Sequence, residues 1–243
     1  MIYGLSASAS AMSADARAQE IISRNLANAS TTGFKKGAVV FDSFSNVLAG
    51  ASGEVVPMAS TGSQELVDFS EGTHTHTGGT FDVALQGEGF FVLQNPQKPD
   101  SPIYTRKGQF TLDGKNQLVN SIGLNVMGDG GPITLPEGTD AVTIAPDGTI
   151  SAGANSVGKL MVVTFPKPYR LERTNFTGFR EPEGSHTAKP ATDCKVRQGY
   201  LEESNVDVLS ELVTMIAVMR SFEADQRMAA VTDDTLKQLI NSV

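Results

Sequence analysis

The chain has 243 residues, with 19 Lys and Arg against 27 Asp and Glu, a net charge of −8. That balance argues against the basic face nucleic-acid binding needs, no run approaches the roughly 18–20 apolar residues of a membrane span, and a single cysteine, Cys194, excludes an internal disulfide. The 24 Gly and 11 Pro crowd the middle: no Pro precedes Pro57 or follows Pro190, so turns belong to the centre and uninterrupted helix is permitted at both ends.

The first element is a helix from Ile2 to about Asn28. Ile2, Leu5, Ala9, Met12, Ala16 and Leu26 recur at helical steps, with Ile22 beside the line and Gln19 interrupting it. The apolar face is thin and built of small residues, so a partner helix can come close but little area is buried per turn. The run Asn28-Ala29-Ser30-Thr31-Thr32-Gly33 should end the helix. Asn25, Asn28 and Thr31 offer side chains to its free carbonyls, Gly33 suits a positive φ, and Phe34 is expected to anchor the exit path against a neighbouring molecule. Met1 to Met12 carries no Lys or Arg and no apolar h-region, so a protein working outside the cytoplasm would need an export route without a cleaved signal.

Ala49 to Gly79, rich in Gly, Ser and Thr, reads as an irregular connector. Gly72 to Tyr200 reads as β. Phe81–Leu85 and Phe90–Leu93 flank Gln86-Gly87-Glu88-Gly89, the pattern of a hairpin. Gln109–Leu112 and Gln117–Val119 flank Asp113-Gly114-Lys115-Asn116, Ala141–Ile144 and Thr149–Ser151 flank Pro146-Asp147-Gly148, and Lys159–Phe165 is a further strand. Short strands with Asp-Gly turns predict an antiparallel sandwich or barrel-like domain.

Val208 to Ile240 reads as a second long helix, capped by Asp207 with Glu211 in its first turn. Leu209, Leu212, Ile216 and Met219, with Val213 beside them, form an apolar seam. Glu223, Gln226 and Asp233 interrupt it, and a drifting line through Ala224, Met228, Val231 and Leu239 takes over. At 1.5 Å per residue this helix is about 45–50 Å long, more than a small globule covers.

Chemistry-bearing patterns are sparse. His74-x-His76 could start a metal site, but only His186 remains to join it, so the pair reads as a solvated loop. Gly87-Glu88-Gly89 lacks the third glycine and the following helix of a dinucleotide loop. No Gly-x-Ser-x-Gly elbow is present, and Cys194 reads as an idle thiol. The expectation is no catalytic residue, no cofactor and no metal. Two rivals from other classes are a hydrolase using His74, His76 or His186 and a secreted β-domain binding module.

Four blocks carry a family resemblance. Asn25-Leu26-Ala27-Asn28-Ala29-Ser30-Thr31-Thr32-Gly33-Phe34-Lys35-Lys36 is similar to the N-terminal signature of the bacterial flagellar rod and hook proteins. Asp82 to Phe91, Tyr104 to Phe110 with Asp113-Gly114, and Gln198 to Val206 leading into Leu212-Val213 and Ile216 resemble later segments of the same family, in the same order. The resemblance implies an axial, helically symmetric structural subunit in the periplasmic rod of the basal body, exported by the type III apparatus. Its partners would be copies of itself, other rod proteins, the hook-side rod and ring components, with no nucleic acid and no membrane span. The short stretch between Phe34 and Asp82 favours the proximal-rod member, while Phe41-Asp42-Ser43-Phe44 and Glu211 to Ile216 are equally like the distal-rod member, which stays the alternative.

The predicted fold is α+β: long N- and C-terminal helices (1–34 and 201–243) making a coiled-coil-like inner domain, a connector (35–79) and a mainly antiparallel β-domain (80–200). The predicted assembly surface comprises Leu5, Met12, Asn25, Leu26, Asn28, Thr31, Gly33, Phe34, Ser204, Asn205, Val206, Leu209, Leu212, Val213, Ile216 and Met219.

Overall fold

A computed structural model describes residues 2–40, 64–95, 97–136, 142–153, 155–167, 169–174, 177–182 and 187–241. Residues 41–63, and with them much of the predicted connector, lie outside the described residues. So do His186 and the first residue of the predicted Ala141–Ile144 strand.

The chain divides into two compact units. A helical unit takes residues 1–29, 36–69 and 206–243, and a β unit takes 30–35 and 70–205. In the helical unit, α1 (Ile2–Ala27) and α2 (Val208–Asn241) lie against each other, accompanied by a two-stranded antiparallel ribbon of Gly37–Val40 and Gln64–Val67. The start of α2 follows from its sequence: the Asp207 carboxylate accepts from the Leu209 amide at 3.1 Å, and the Asp207 carbonyl accepts from Glu211 at 3.0 Å. At the other helix end, the Asn28 side chain donates to the Arg24 carbonyl at 2.9 Å, filling a free acceptor of the last turn.

In the β unit every strand pair is antiparallel. The largest sheet runs Glu172–Arg173, Gly178–Arg180, Lys98–Thr105, Phe90–Asn95, Asn125–Gly128, Leu118–Asn120, Phe110–Leu112, with Val162–Thr164 also paired to Phe90–Asn95. A three-stranded sheet of Val142–Ile144, Thr149–Ala152 and Asn155–Lys159 and two small pairs complete it. The core clusters Val83, Leu85, Phe91, Leu93, Phe110, Leu118, Val126, Ile133, Ile150, Leu160 and Val196. Phe91 and Phe110 meet edge to face at 5.2 Å, the arrangement the ring quadrupoles favour.

The hairpins with Asp-Gly turns form as their turn chemistry dictates. Asp113 accepts from the amides of Lys115 and Gln117, Asn116 takes φ 56°, and Phe110–Leu112 pairs with Leu118–Asn120. Asp147 does the same for Thr149 between Val142–Ile144 and Thr149–Ala152. The hairpin expected around Gly87 does not form. Val83–Gln86 pairs with Lys195–Gln198, and Phe90–Asn95 pairs with Lys98–Thr105. Gly87, at φ 97°, turns the chain between strands with different partners. The His74-x-His76 segment is a strand paired with Tyr200–Glu202 rather than a loop. Its His74 lies 3.2 Å from Glu71, and His76 meets the Tyr200 ring edge-on at 4.9 Å.

The expected fold class is overturned. Among the described residues there are two helices against nineteen strands, and strands extend outside 80–200 into 37–40, 64–67 and 74–76, so the chain is mostly β. Nor do the helices make the expected coiled-coil-like domain. Positions where α1 is buried or half-buried include Ser8, Asp15 and Asn25, and those of α2 include Glu211 and Asp225. A coiled-coil seam fills such positions with apolar knobs.

Candidate functional site

The sixteen residues nominated for assembly separate into two sets. The first is spent inside the molecule. Asn25 is 1% exposed: its amide nitrogen donates to the Gly37 carbonyl at 2.8 Å and to Glu211 of α2 at 3.1 Å, while its oxygen accepts from the Gly37 amide at 2.9 Å. One side chain thus ties α1, α2 and the ribbon of the helical unit together. Phe34 is 2% exposed and packs inside the β unit under the Arg173 guanidinium, 4.9 Å from its ring centre, so it is an internal anchor and not a contact kept for a neighbour. Asn205 donates to the hydroxyl and carbonyl of Ser70 at 3.0 and 3.3 Å. Met12, Leu26, Asn28, Thr31, Ser204 and Val206 are half-buried. Leu5 belongs to α1, but its side chain is outside the described set.

The second set faces outward. Leu209, Leu212, Val213, Ile216 and Met219 are 71, 43, 62, 53 and 46% exposed. The face that α2 buries within its unit is a different one. Among its described side chains the half-buried positions are Glu211, Met215, Val218, Phe222, Asp225, Ala229 and Thr232, alternating steps of four and three. Residues 212, 216 and 219 each follow one of these by one position, hence by about 100° around the axis. The helix therefore carries two neighbouring stripes, one used and one left apolar and open. Met228 and Val231, 61 and 66% exposed, add apolar surface nearer its C-terminal end. Among the described side chains of α1 the buried ones are Ser8, Ala18, Ile21, Ile22 and Asn25, and Ala9 and Ala16 of the predicted line are exposed.

The β unit holds a centre that the residue patterns did not reveal. Lys35 and Glu202 side chains are both 0% exposed, with Lys35 Nζ 2.5 Å from Glu202 Oε1, and Arg106 Nη1 lies 3.3 Å from Glu202 Oε2. Every polar atom of the carboxylate is used, since the Gly72 amide also donates to Oε1 at 3.0 Å. Lys35 donates further to the Ser70 carbonyl at 2.5 Å, and Arg106 to the carbonyls of Gly87 at 2.7 Å and Leu85 at 3.3 Å. The Gly33 amide donates to the Glu202 carbonyl at 2.7 Å, and Arg173 donates to the Lys35 carbonyl at 2.7 Å. Burial pulls the Lys35 ammonium below the ordinary lysine value, and the Glu202 carboxylate opposes that pull. A desolvated ion pair of this kind adds little net stability, but leaving one partner alone in the dry centre is costly.

Glycines make the close approach possible. Gly33 sits at φ 68°, and a Cβ there would lie 2.4 Å from the Lys107 amide nitrogen. Gly33→Ala is expected to lower the unfolding free energy of the β unit by about 1–3 kcal/mol from the backbone conformation alone, with the clash added. Gly114→Ala, at a turn with no atom near the added methyl, should stay within about 0.5 kcal/mol. Denaturant midpoints of the two variants check the difference.

Comparison with known proteins accounts for this convergence. Three family descriptions match in order: Flagella basal body rod protein over residues 5–35, Flagellar hook protein FlgE/F/G D1 domain over 84–152, and Flagellar basal body rod FlgEFG protein C-terminal over 197–242. Lys35, Arg106 and Glu202 come one from each, so the buried centre joins all three matched segments. Among relatives, the chain is 31% identical over 245 residues to the flagellar basal-body rod protein FlgG of Bacillus subtilis, covering 91% of this chain and 92% of that one. It is 33% identical over 217 residues to FlgF of Caulobacter vibrioides, covering 87% and 86%. It is 31% identical over 264 residues to FlgG of Buchnera aphidicola subsp. Acyrthosiphon pisum, covering 98% and 99%. The chain belongs to the flagellar basal-body rod protein family and is a structural subunit of the rod.

Proposed function

We propose that this subunit joins its neighbours through the open stripe of α2 and occupies the FlgF-type, proximal position in the rod. The observation that carries the reading is the exposure of Leu209, Leu212, Val213, Ile216 and Met219 on a helix whose other apolar face is already in use. A water-facing row of this kind is a binding surface when it has a complementary partner. Burying one such side chain fully contributes roughly 1.5–3 kcal/mol, so a handful per subunit, repeated by a screw operation, holds an open filament. The FlgG alignments, over 264 and 245 residues, are longer than this whole chain, whereas the FlgF alignment runs over 217. That difference supports a proximal subunit, which lacks residues the distal protein carries.

In this reading the role is mechanical, without a catalytic step. Delivery is by the flagellar type III apparatus, and the partners are further copies and the adjoining rod and ring components.

A peptide tag inserted at Gly114, a turn with open space around it, tests the placement. Electron microscopy of tagged basal bodies should show the label at the membrane-side end of the rod. Label along the hook-side length, or intact basal bodies without label, contradicts the proximal reading.

A further inference from the structure

The Lys35–Glu202 contact spans 167 positions, and the 30–35 segment is a six-residue outlier that completes a unit otherwise made from residues 70–205. Two of its polar ties run to one residue, the Gly33 amide to the Glu202 carbonyl and the Lys35 ammonium to the Glu202 carboxylate. We propose that this centre is a clasp closed from the C-terminal side. The 30–35 segment docks only once strand Tyr200–Glu202 delivers its carboxylate, and Lys35, not Arg106, leaves when that charge is lost.

The asymmetry follows from the two cations' other partners. Arg106 keeps the Leu85 and Gly87 carbonyls and the Phe90 ring, 5.5 Å away, without any help from Glu202. It is also part of a chain run continuous with the large sheet, since it directly follows strand Lys98–Thr105. Lys35 has the Ser70 carbonyl as its other side-chain acceptor, on a segment of six residues. Two cations a few Å apart in a dry centre repel strongly, and the flexible, strongly hydrated ammonium is the easier one to return to water. Loss of the carboxylate should thus open the docked segment while the β core stays closed. The device makes the fixing of the N-terminal segment conditional on arrival of residues near the far end of the chain.

The test is limited trypsin digestion of the full chain. In Glu202→Gln, cleavage after Lys35 or Lys36 should accelerate at least about tenfold over the parent, the factor that corresponds to about 1.4 kcal/mol of easier opening, and that cut should precede any cut after Arg106. The double variant Lys35→Met with Glu202→Gln, which removes the charge that must leave, should return cleavage after Lys36 to near the parental rate. Unaltered cleavage at the 35–36 site in Glu202→Gln overturns the proposal. So does cleavage after Arg106 ahead of the 35–36 cut, or a double variant that remains as sensitive as the single one.

Discussion

Ile216→Asp is expected to abolish incorporation of the subunit into the rod, and with it motility, while leaving the purified protein folded. Ile216 is 53% exposed, at the middle of the open stripe, with Leu212 and Met219 one helical turn away on either side. Within the free molecule the substitution replaces one water-facing side chain by another, a change normally worth no more than about 0.5 kcal/mol. In an assembly that buries the stripe, the same carboxylate must be dehydrated. That costs several kcal/mol per ion, on the scale of effective penalties for buried charges, and the cost recurs in every subunit. Complementation of a deletion strain, scored by swimming and by the presence of rods, checks the first half. The unchanged circular dichroism and melting temperature of the purified variant check the second. Leu212→Asp should behave alike. Asp234→Ala, on an exposed position of the same helix, should assemble normally.

Glu202→Gln is expected to lower the unfolding free energy of the β unit by about 3–5 kcal/mol, the range for removing one partner of a buried ion pair. The other route to the same variant gives a similar figure. If the 30–35 segment is released to relieve the repulsion, Phe34 loses its burial, about 1.5–3 kcal/mol. The bonds from Gly33 to the Glu202 carbonyl and from Arg173 to the Lys35 carbonyl go with it, at about 0.5–1.5 kcal/mol each. Equilibrium denaturation reads the total. Glu172→Gln, which breaks the exposed pair with Arg180, should cost about 0–1 kcal/mol and serves as the comparison.

Much of the local structure was legible in the residues, and much of the long-range structure was not. Helical spacing, Asp207 and the Asn28–Gly33 stop locate the two helices. The Asp113 and Asp147 turns locate two hairpins, because a side chain that bonds amides two residues on sets the turn from within four residues. The strands on either side of Gly87 defeat the same reasoning. Both are β by composition, but their partners lie more than a hundred residues away in one case and beyond a turn at Gln97 in the other. Nothing in a local pattern distinguishes those partners from each other.

Faces were harder still than elements. The stripe through Leu209 and Ile216 looks like the inner seam because it holds the larger aliphatic residues. The helical unit instead packs α2 through Met215, Val218, Phe222 and Ala229, mixed with Glu211, Asp225 and Thr232. Polar residues on the buried face disguise it, and their presence there is also why the pair lacks a coiled-coil seam. Lys35 was disguised in another way: it is one of two adjacent lysines, and lysine is almost never fully buried unless partnered. The signal that could have found it is that Lys35, Arg106 and Glu202 each lie within a block carrying the family resemblance. Opposite charges in three separate blocks have a common explanation if the blocks meet.

The central claim is that the outward stripe of α2 becomes covered when subunits assemble, and cysteine labelling at that stripe tests it most directly. The native thiol gives little background, because burial pushes Cys194 up to about 11 and leaves it almost wholly protonated at neutral pH. An Ile216→Cys variant should react with a maleimide within seconds to minutes as a free subunit. In isolated basal bodies the same position should be protected by an order of magnitude or more in rate, while a cysteine placed at Gly114 reacts equally in both. If position 216 reacts as fast in the intact rod as in the free subunit, the stripe is not an interface and the account of assembly fails.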